Sequence, residues 1–317
     1  MRAALVHRYG PPEAARVAEV STPEPRRGEV LVRIAATVVT SGDARMRSGV
    51  FPPGFALPAR LAIGIRGPRR HILGVVFAGE VAALGEGVTT HAVGDRVAGM
   101  TGARFGCHAE YVAVPAARAV PIPVALTDDA AAAVLFGGST ALDYLRDKAR
   151  LRAGATVLVN GASGAVGSAA VQLARHLGAE VTAVTSRANA ELVARLGATR
   201  AIDYRATPVE SLADRFDVVL DAVGNVTPAT GRRLLADGGV LLLAVAGLGD
   251  TIAARGPVKA GPASEDPANL AELLRLAAEG VLDPLVESTH PLDGIVDAYR
   301  RVDSGRKVGN IVLRPGE

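Results

Sequence analysis

The chain has 317 residues, of which 49% are hydrophobic and 21% charged, and its formal net charge is +3; this is typical of a globular enzyme of about two domains. A single cysteine, Cys107, excludes an intramolecular disulfide and every zinc site with two or more cysteine ligands. Interspersed charges and only 3% aromatic residues argue against a nucleic-acid partner. No apolar run approaches the roughly 18 residues that span a bilayer, and the N-terminal residues lack a signal-peptide core, so we expect a cytoplasmic protein without a membrane segment.

The first part of the chain, about 120 residues, is predicted to be a β-rich domain without long helices. Strands are expected over 30–36, 74–83 and 109–114, because these apolar runs are separated by turn signals such as Ser41-Gly42-Asp43 and Pro52-Pro53-Gly54. Near Thr127 the pattern changes, since Thr127 or Asp128 is suited to cap an alanine-rich helix.

Beyond that helix, short apolar runs alternate with helical segments. Strands are predicted at 156–159, 180–184, 201–204, 217–220 and 239–245, and helices near 166–177, 188–196, 228–235 and 267–278. Short, mostly apolar strands are typical of a parallel sheet that is buried on both faces. A helix over 291–303 and a strand over 310–313 end the chain. The order predicts a doubly wound α/β domain, followed by a short segment that returns to the first domain.

One strand-to-helix junction carries a glycine-rich motif that runs from Asn160 to Gly167. Compared with the pattern G-x-G-x-x-G, Ala162, Gly164 and Gly167 occupy the three small-residue positions. Gly164 would let backbone N–H groups approach a pyrophosphate, and Gly167 would let the helix pack closely on the strand. A tight structural turn is the alternative, but the flanking strand, helix and βα repeats predict a dinucleotide site.

The end of the next predicted strand indicates which dinucleotide binds. NAD sites usually carry Asp or Glu there, whereas this chain has Thr185-Ser186-Arg187. Two hydroxyls and a guanidinium suit the 2′-phosphate of NADPH, which a carboxylate would repel. The alternative for Arg187 is an ordinary exposed residue at the start of a helix.

The chain resembles the medium-chain dehydrogenase/reductase superfamily, and most closely its zinc-free quinone oxidoreductase and enoyl reductase-like branch. Motifs along essentially the whole chain carry this resemblance. They are Asn160–Gly167 with Gln172-Leu173-Ala174, Ser41-Gly42-Asp43 with Arg47-Ser48-Gly49, Ala78-Gly79-Glu80-Val81, Val93-Gly94-Asp95-Arg96-Val97, Ala109-Glu110-Tyr111-Val112, Ile202-Asp203-Tyr204, Asp221-Ala222-Val223-Gly224 and Val308–Leu313.

The resemblance implies an α/β fold in which a GroES-like β-barrel catalytic domain is joined to a Rossmann domain. Residues 1–124, completed by 286–317, would form the catalytic domain, residues 125–285 the NADPH-binding domain, and the cleft between them the active site. The resemblance implies that Thr140 contacts the nicotinamide half of the cofactor and that Tyr204 contacts the 2′-phosphate. The alternative role for Thr140 is a helix N-cap, and the alternative for Tyr204 is packing on the surface. The cofactor site predicted from the motif and the resemblance comprises Thr140, Ala162, Ser163, Gly164, Ala165, Val166, Gly167, Thr185, Ser186, Arg187, Tyr204, Val223, Gly224 and Asn310.

The chain departs from the superfamily pattern at several positions. Zinc-dependent members place a cysteine at the position of Thr40 and a His-Glu pair at Val75-Val76, and the four-cysteine structural lobe is missing as well. We therefore expect no metal. The quinone oxidoreductase branch usually has Asn at position 40 and often Tyr at position 45, where this chain has Thr40 and Arg45. The segment 51–71 is longer than usual and mixes apolar side chains with arginines.

These features together predict NADPH-dependent hydride transfer to an apolar, conjugated small molecule, either the C=C of an enone or a quinone. Thr40 and Ser41 are the candidate donors to the developing oxyanion, with Asp43 and Arg47 beside them; Asp43 could also merely brace the loop. Two alternatives stay open: a dedicated tailoring reductase of a biosynthetic pathway, and a non-catalytic NADPH-binding structural or sensing protein. We also expect a homodimer through the Rossmann domain, because the resemblance places the apolar strand 240–245 near a sheet edge.

Overall fold

A computed structural model describes all residues, 1–317. Its first domain is built on antiparallel strands, and two of them, β1 and β2, form a separate pair. The other strands belong to a seven-stranded sheet that also contains two strands from the C-terminus. The strands of this part are β1 (Arg2–Val6), β2 (Ala15–Glu19), β3 (Glu29–Val38), β4 (Val76–Leu84), β5 (Arg96–Met100), β6 (Tyr111–Pro115) and β7 (Val120–Pro121).

Two short helices, α1 (Ser41–Ser48) and α2 (Ala56–Ile63), lie between β3 and β4, where the sequence predicted only turns and loop. Their sequences lack an apolar period of 3.6 residues for a physical reason. The buried residues of α1 are Asp43, Ala44 and Arg47, so its inner face is largely polar. No residue of α2 is buried, so that helix has no core-facing stripe at all.

The second domain confirms the predicted doubly wound parallel sheet. Its strand order is β10-β9-β8-β11-β12-β13, and all neighbours are parallel. The order reverses between β8 and β11, which is where ligands bind in open α/β sheets. The elements are α3 (Asp128–Leu142), β8 (Thr156–Asn160), α4 (Ala165–His176), β9 (Glu180–Thr185), α5 (Ala190–Arg195), β10 (Arg200–Asp203), β11 (Phe216–Asp221), α6 (Pro228–Arg233), β12 (Leu235–Leu243), α7 (Leu248–Ala253), β13 (Val258–Ala260) and α8 (Pro267–Ala278).

The segment 240–245 lies near a sheet edge as predicted, since β12 is next to the edge strand β13, but the expectation that it is itself an unpaired edge is wrong. Strand β12 pairs with β11 on one side and with β13 on the other, so its backbone is hydrogen-bonded on both sides. Its apolar character has a simpler origin, because Leu241, Leu242 and Leu243 are all buried in the core. The edge beyond it is the three-residue strand β13.

The chain then returns to the first sheet through β14 (Val286–Pro291), α9 (Ile295–Asp303) and β15 (Asn310–Arg314). Strand β15 pairs antiparallel with β3, with Val312 opposite Val38. The predicted helix 291–303 begins too early, because Pro291 ends β14 and a short 3-10 turn, Leu292–Gly294, precedes α9. Strand β14 was not predicted, since only partly buried or exposed residues make it up.

Helix α3 connects the two domains and lies at the centre of the largest core cluster. The Thr127 hydroxyl caps it by accepting from the Ala130 N–H, as the sequence predicted. The cluster contains Val38 and Val76 of the first sheet as well as Val159 and Leu220 of the second. This shared core fixes the two sheets relative to each other. No helix of the protein combines the length and the apolar composition needed to cross a membrane.

Candidate active site

The glycine-rich turn between β8 and α4 is shaped by two positions where only glycine fits. Gly161 adopts a φ of +82°, in the left-handed region that side chains disfavour. A Cβ atom on Gly167 would lie 2.1 Å from the Gly161 carbonyl oxygen, far inside contact distance. Glycine at 167 therefore lets α4 start directly against the end of β8, as predicted.

The N-terminus of α4 is left open by the protein itself. Gly164 is its N-cap and makes no side-chain cap, and the first turn holds no acidic residue. The N–H groups of Ala165, Val166 and Gly167 have no acceptor in the protein. A Cβ atom on Gly164 would meet nothing closer than 3.6 Å, so the outer side of the turn is free space. This cradle of unpaired N–H groups fits a pyrophosphate.

The neighbouring strand end forms a second polar cluster. Thr185 is buried and its hydroxyl donates to Ser163 Oγ at 3.0 Å, which links the β9 end to the glycine-rich turn. The Tyr204 N–H donates to the Thr185 carbonyl at 3.1 Å, so Tyr204 lies beside the same strand end, and the residue is 47% exposed. Arg187 is exposed there, and Ser186 is partly exposed. The sequence reasoning missed Arg205, whose guanidinium lies 5.7 Å from the centre of the Tyr204 ring.

A buried carboxylate, Asp221, borders the cradle on a further side; the sequence analysis named it only within a family motif and not as a site residue. Asp221 ends β11 and accepts from the N–H groups of Val223 and Gly224, and from the Asn160 side-chain amide at 2.9 Å. Val223 is half exposed and packs over Gly161, where a Cβ atom would lie 2.7 Å from Val223 Cγ2. Asp221 thereby holds the predicted residues Val223 and Gly224 beside the turn.

Thr140 and Asn310 both have partners within the protein. Thr140 lies in the last turn of α3 and its hydroxyl donates to the Phe136 carbonyl at 3.0 Å, so the alternative of an N-cap is wrong. The Asn310 side chain is buried and its amide donates to the Pro284 carbonyl at 2.7 Å. The contact with the cofactor turn is made by the preceding residue, since the Gly309 N–H donates to the Ser163 carbonyl at 2.8 Å.

A lysine that the sequence reasoning missed stands next to this contact. The Lys307 ammonium donates to the Gly309 carbonyl at 2.5 Å. Desolvation lowers the pKa of Lys307 to about 8, although nearby Glu287 acts in the opposite direction. Lys307 is therefore a titratable cation attached to the strand that touches the cradle.

The loop that begins α1 carries the four predicted catalytic residues, and two of them bond mainly to each other. Thr40 and Asp43 form a capping box: the Thr40 hydroxyl accepts from the Asp43 N–H and donates to Asp43 Oδ2 at 2.6 Å. Asp43 also accepts from the Thr40 N–H at 2.9 Å and, through Oδ1, from the Gly74 N–H at 3.1 Å. Asp43 thus braces the loop, the alternative weighed from the sequence, and the single hydrogen of the Thr40 hydroxyl is already donated.

Arg47 faces the interior, and Ser41 faces outward. The Arg47 side chain is 1% exposed, donates to the Gly10 carbonyl at 2.5 Å and forms an ion pair with Asp303 at 2.6 Å. Its guanidinium also lies 5.0 Å from the centre of the Tyr299 ring. Ser41, the first residue of α1, is exposed and its hydroxyl has no protein partner. Of the four residues, Ser41 is the one with a hydroxyl available to a ligand.

Strand β15 brings the α1 loop close to the cradle. At one point of β15 the Ile311 carbonyl accepts from the Val39 N–H at 3.0 Å, next to Thr40. Two residues earlier, Gly309 bonds to Ser163 in the cofactor turn. A strand rises about 3.3 Å per residue, so these two contacts lie about 7 Å apart along the chain. The α1 loop and the cofactor turn are therefore both hydrogen-bonded to one short segment, residues 309–311.

The residues at the zinc-ligand positions carry no metal-binding groups. Thr40 is committed to Asp43, and Val75 and Val76 have aliphatic side chains. No three His, Cys, Asp or Glu side chains anywhere in the chain are grouped so that they could hold a metal ion.

A six-stranded parallel sheet with a cradle at its switch point, joined to a second sheet domain, defines the class of two-domain dinucleotide-binding proteins. Two family descriptions match within it: "Alcohol dehydrogenase GroES-like domain" over residues 26–124 and "Zinc-binding dehydrogenase" over residues 196–313. The chain belongs to the medium-chain dehydrogenase/reductase superfamily of oxidoreductases, within the quinone oxidoreductase and enoyl reductase-like branch.

Individual relatives agree with this assignment. A 2-methylene-furan-3-one reductase from Solanum lycopersicum is 30% identical over 319 residues, which cover 97% of this chain and 77% of the relative. The quinone oxidoreductase structure from Coxiella burnetii superposes with a TM-score of 0.88 at 25% identity, over 99% of both chains. The mycobacterial protein Rv1454c, solved in complex with NADPH, gives a TM-score of 0.82 at 28% identity, over 99% of both chains.

A further relative is much longer than this chain. A mycocerosic acid synthase-like polyketide synthase of Mycobacterium tuberculosis is 32% identical over 313 residues, which cover 91% of this chain but only 14% of the synthase.

Proposed function

We propose that the protein is an NADPH-dependent, zinc-independent reductase that acts on an electron-poor acceptor, either the conjugated C=C of an enone or a quinone. The observation that carries this proposal is the open cradle at α4 beside a β9 end that has hydroxyls and a guanidinium but no carboxylate. Its relatives support it, since they include a 2-methylene-furan-3-one reductase, a quinone oxidoreductase and a protein complexed with NADPH.

The residues present fit the cofactor. The N–H groups of Ala165–Gly167 would bind the pyrophosphate, with Ala162, Ser163 and Gly164 forming the turn around it. The 2′-phosphate would contact the second cluster, made of Thr185, Ser186, Arg187 and Tyr204. Thr140, Val223, Gly224 and Asn310 would border the rest of the dinucleotide. When bound, NADPH supplies the hydride of the reaction.

On the substrate side, the chain has to stabilise negative charge as it develops on an oxygen. The Ser41 hydroxyl is the available donor, and the Thr40–Asp43 capping box holds the backbone that presents it. The role predicted for both Thr40 and Ser41 is therefore assigned to Ser41, with Thr40, Asp43 and Arg47 as positioning residues. A proton from water completes the reduction at carbon.

A neutral hydroxyl suits an enone better than a simple ketone. A ketone concentrates the charge on one alkoxide oxygen and requires a metal or a strong acid, and the zinc-ligand positions hold Thr40, Val75 and Val76. An enone spreads the same charge into an enolate, so weaker donors suffice.

The proposal is tested by turnover. The purified protein is treated with a chelator, analysed for zinc, and mixed with NADPH or NADH and a panel of enones, quinones and ketones. We expect NADPH consumption with enones or quinones at an unchanged rate after chelation. Activity that is restored only by stoichiometric zinc would contradict the proposal. Absence of turnover across the panel would favour the tailoring reductase, which the similarity to a polyketide synthase supports, or the non-catalytic alternative.

A homodimer through the second domain is part of the same proposal, with β13 as the exposed edge in place of 240–245. Sedimentation velocity at micromolar concentration tests it, and a purely monomeric protein would contradict it.

A further inference from the structure

An open cavity of about 540 Å³ lies on the first domain, outside the proposed cofactor site. It is lined by residues 10–12, by the second half of α1, by Val50 and by Asp303 at the end of α9. The volume falls in the range of about 300–1,000 Å³ that is usual for small-molecule sites.

The charges in this wall are unbalanced at one residue, Arg45. Arg47 and Asp303 neutralise each other through their 2.6 Å ion pair. Glu13, next to residues 10–12, forms an ion pair with Arg300 at 2.6 Å. Arg45 is half-buried and lines the cavity, yet its guanidinium makes no hydrogen bond or ion pair with any protein group. Burial alone lowers the pKa of Arg45, with no contribution from a neighbouring charge.

A half-buried guanidinium without an acceptor is costly, because it has lost part of its hydration and gained no partner. For the more deeply buried Arg47, the loss of hydration is compensated by two acceptors, the Gly10 carbonyl and Asp303. At Arg45 the acceptor is missing, and the open side of the side chain faces the cavity.

The sequence around the cavity adds to the positive potential. Between Asp43 and Glu80 the chain has six arginines and no acidic residue. One of them, Arg60, lies 5.5 Å from the centre of the Tyr9 ring, and Tyr9 precedes Gly10 in the cavity wall. Arg60 therefore adds a positive charge next to the Gly10 side of the cavity, which favours an anionic ligand.

Apart from Ser48, the rest of the wall is apolar. Pro11 and Pro12 line one side, and Val50 is 71% exposed on the other. A ligand that matches this surface needs an anionic end for Arg45 and an apolar body for the proline and valine side chains.

We propose that this cavity binds a small molecule that carries a carboxylate or phosphate on an apolar body, with Arg45 as the residue that contacts the anion. The same chemistry could come from two sources: the anionic end of the acceptor that the enzyme reduces, or a separate effector.

Calorimetric titration tests binding without any turnover, so its failure leaves the proposed function untouched. The probes are octanoate and octyl phosphate, with the uncharged octanamide as the reference. The variants are Arg45→Gln, Arg45→Lys and the control Arg152→Gln, an exposed arginine of the second domain without a side-chain partner. Thermal unfolding of each variant checks that it is folded.

We expect either anion to bind the unsubstituted protein about 10- to 100-fold more tightly than octanamide, the range of a charge-assisted hydrogen bond. Arg45→Gln should abolish this preference, while Arg45→Lys keeps much of it and Arg152→Gln keeps all of it. Equal affinities for the anions and octanamide, or an unchanged preference in folded Arg45→Gln, would overturn the proposal.

A kinetic arm distinguishes the two sources. With an active enone, competitive inhibition by octanoate that is lost in Arg45→Gln indicates the anionic end of the acceptor. Non-competitive inhibition or activation with the same dependence on Arg45 indicates an effector.

Discussion

The two strand-to-helix junctions that are hydrogen-bonded to residues 309–311 treat the free N–H groups at a helix start in opposite ways. Where β8 meets α4, Gly164 provides no side-chain cap and the first N–H groups of the helix stay unpaired. Where β3 leads into α1, Thr40 and Asp43 cap the helix reciprocally. An uncapped helix start is available to an anion, whereas a capped one is satisfied by its own side chains. The first junction can therefore bind a ligand through its backbone, and the second can do so only through an exposed side chain, Ser41.

The largest expected effect concerns the backbone of the first junction. Gly167→Ala places a Cβ atom 2.1 Å from the Gly161 carbonyl oxygen, so the turn must move. We expect a loss of about 3 kcal/mol or more in the free energy of unfolding and no measurable NADPH binding. Gly164→Ala is the matched contrast, because its Cβ atom meets nothing closer than 3.6 Å; it should fold normally and weaken only NADPH binding. Denaturant unfolding and fluorescence titration measure both. Normal stability and binding in Gly167→Ala would break the account of this junction.

At the second junction, Ser41→Ala should affect catalysis, whereas Thr40→Val should affect stability. Ser41→Ala removes the free donor and should lower kcat by about 10²–10³-fold with little change in stability. Thr40→Val removes the cap and should cost about 1–2 kcal/mol of unfolding free energy. Steady-state kinetics and denaturant unfolding of both variants separate these effects. An unchanged kcat in Ser41→Ala would mean that Ser41 does not contact the reacting oxygen.

The next prediction concerns the charge that contacts the 2′-phosphate of NADPH. Arg187→Ala should weaken NADPH by about 10- to 150-fold and leave NADH nearly unchanged, because only NADPH carries the 2′-phosphate. Arg195→Ala is the control. Arg195 is also exposed, but it is the last residue of α5, whereas Arg187 precedes that helix. Dissociation constants for both cofactors come from fluorescence titration. Equal affinities of the unsubstituted protein for NADPH and NADH would remove the basis of this prediction.

The smallest effect is a pH dependence. Because desolvation lowers the pKa of Lys307 to about 8, its ammonium is charged below that pH and becomes neutral above it. Loss of a positive charge beside the cradle should weaken the binding of anionic NADPH, by about 3- to 10-fold between pH 7 and pH 9. Lys307→Met should lose this dependence while keeping the weaker affinity at both pH values. A pH profile identical in both proteins would exclude Lys307 as its source.

The sequence predicted the first junction far better than the second. Backbone constraints are visible in sequence, because Gly161 and Gly167 stand at positions where geometry admits no other residue. The free donors of α4 follow from the absence of capping side chains, which is equally visible. The parallel sheet was predictable for a similar reason, since its strands are buried apolar runs.

Side-chain partners are a different matter. Thr40, Asp43 and Arg47 look alike as candidate catalytic groups, and only the fold shows that Asp43 bonds to Thr40 and Gly74 and that Arg47 pairs with Asp303 from 256 residues further along the chain. Helix α2 escaped prediction because none of its residues is buried, so burial imposed no pattern on it.

The central claim is hydride transfer from NADPH to the β-carbon of a conjugated acceptor, and isotopic labelling tests it most directly. The enzyme is incubated with an enone and NADPH deuterated at the transferable position, and the label is located by NMR. The account predicts deuterium at the β-carbon of the saturated product. Deuterium only at a carbinol carbon would show carbonyl reduction instead and contradict the account.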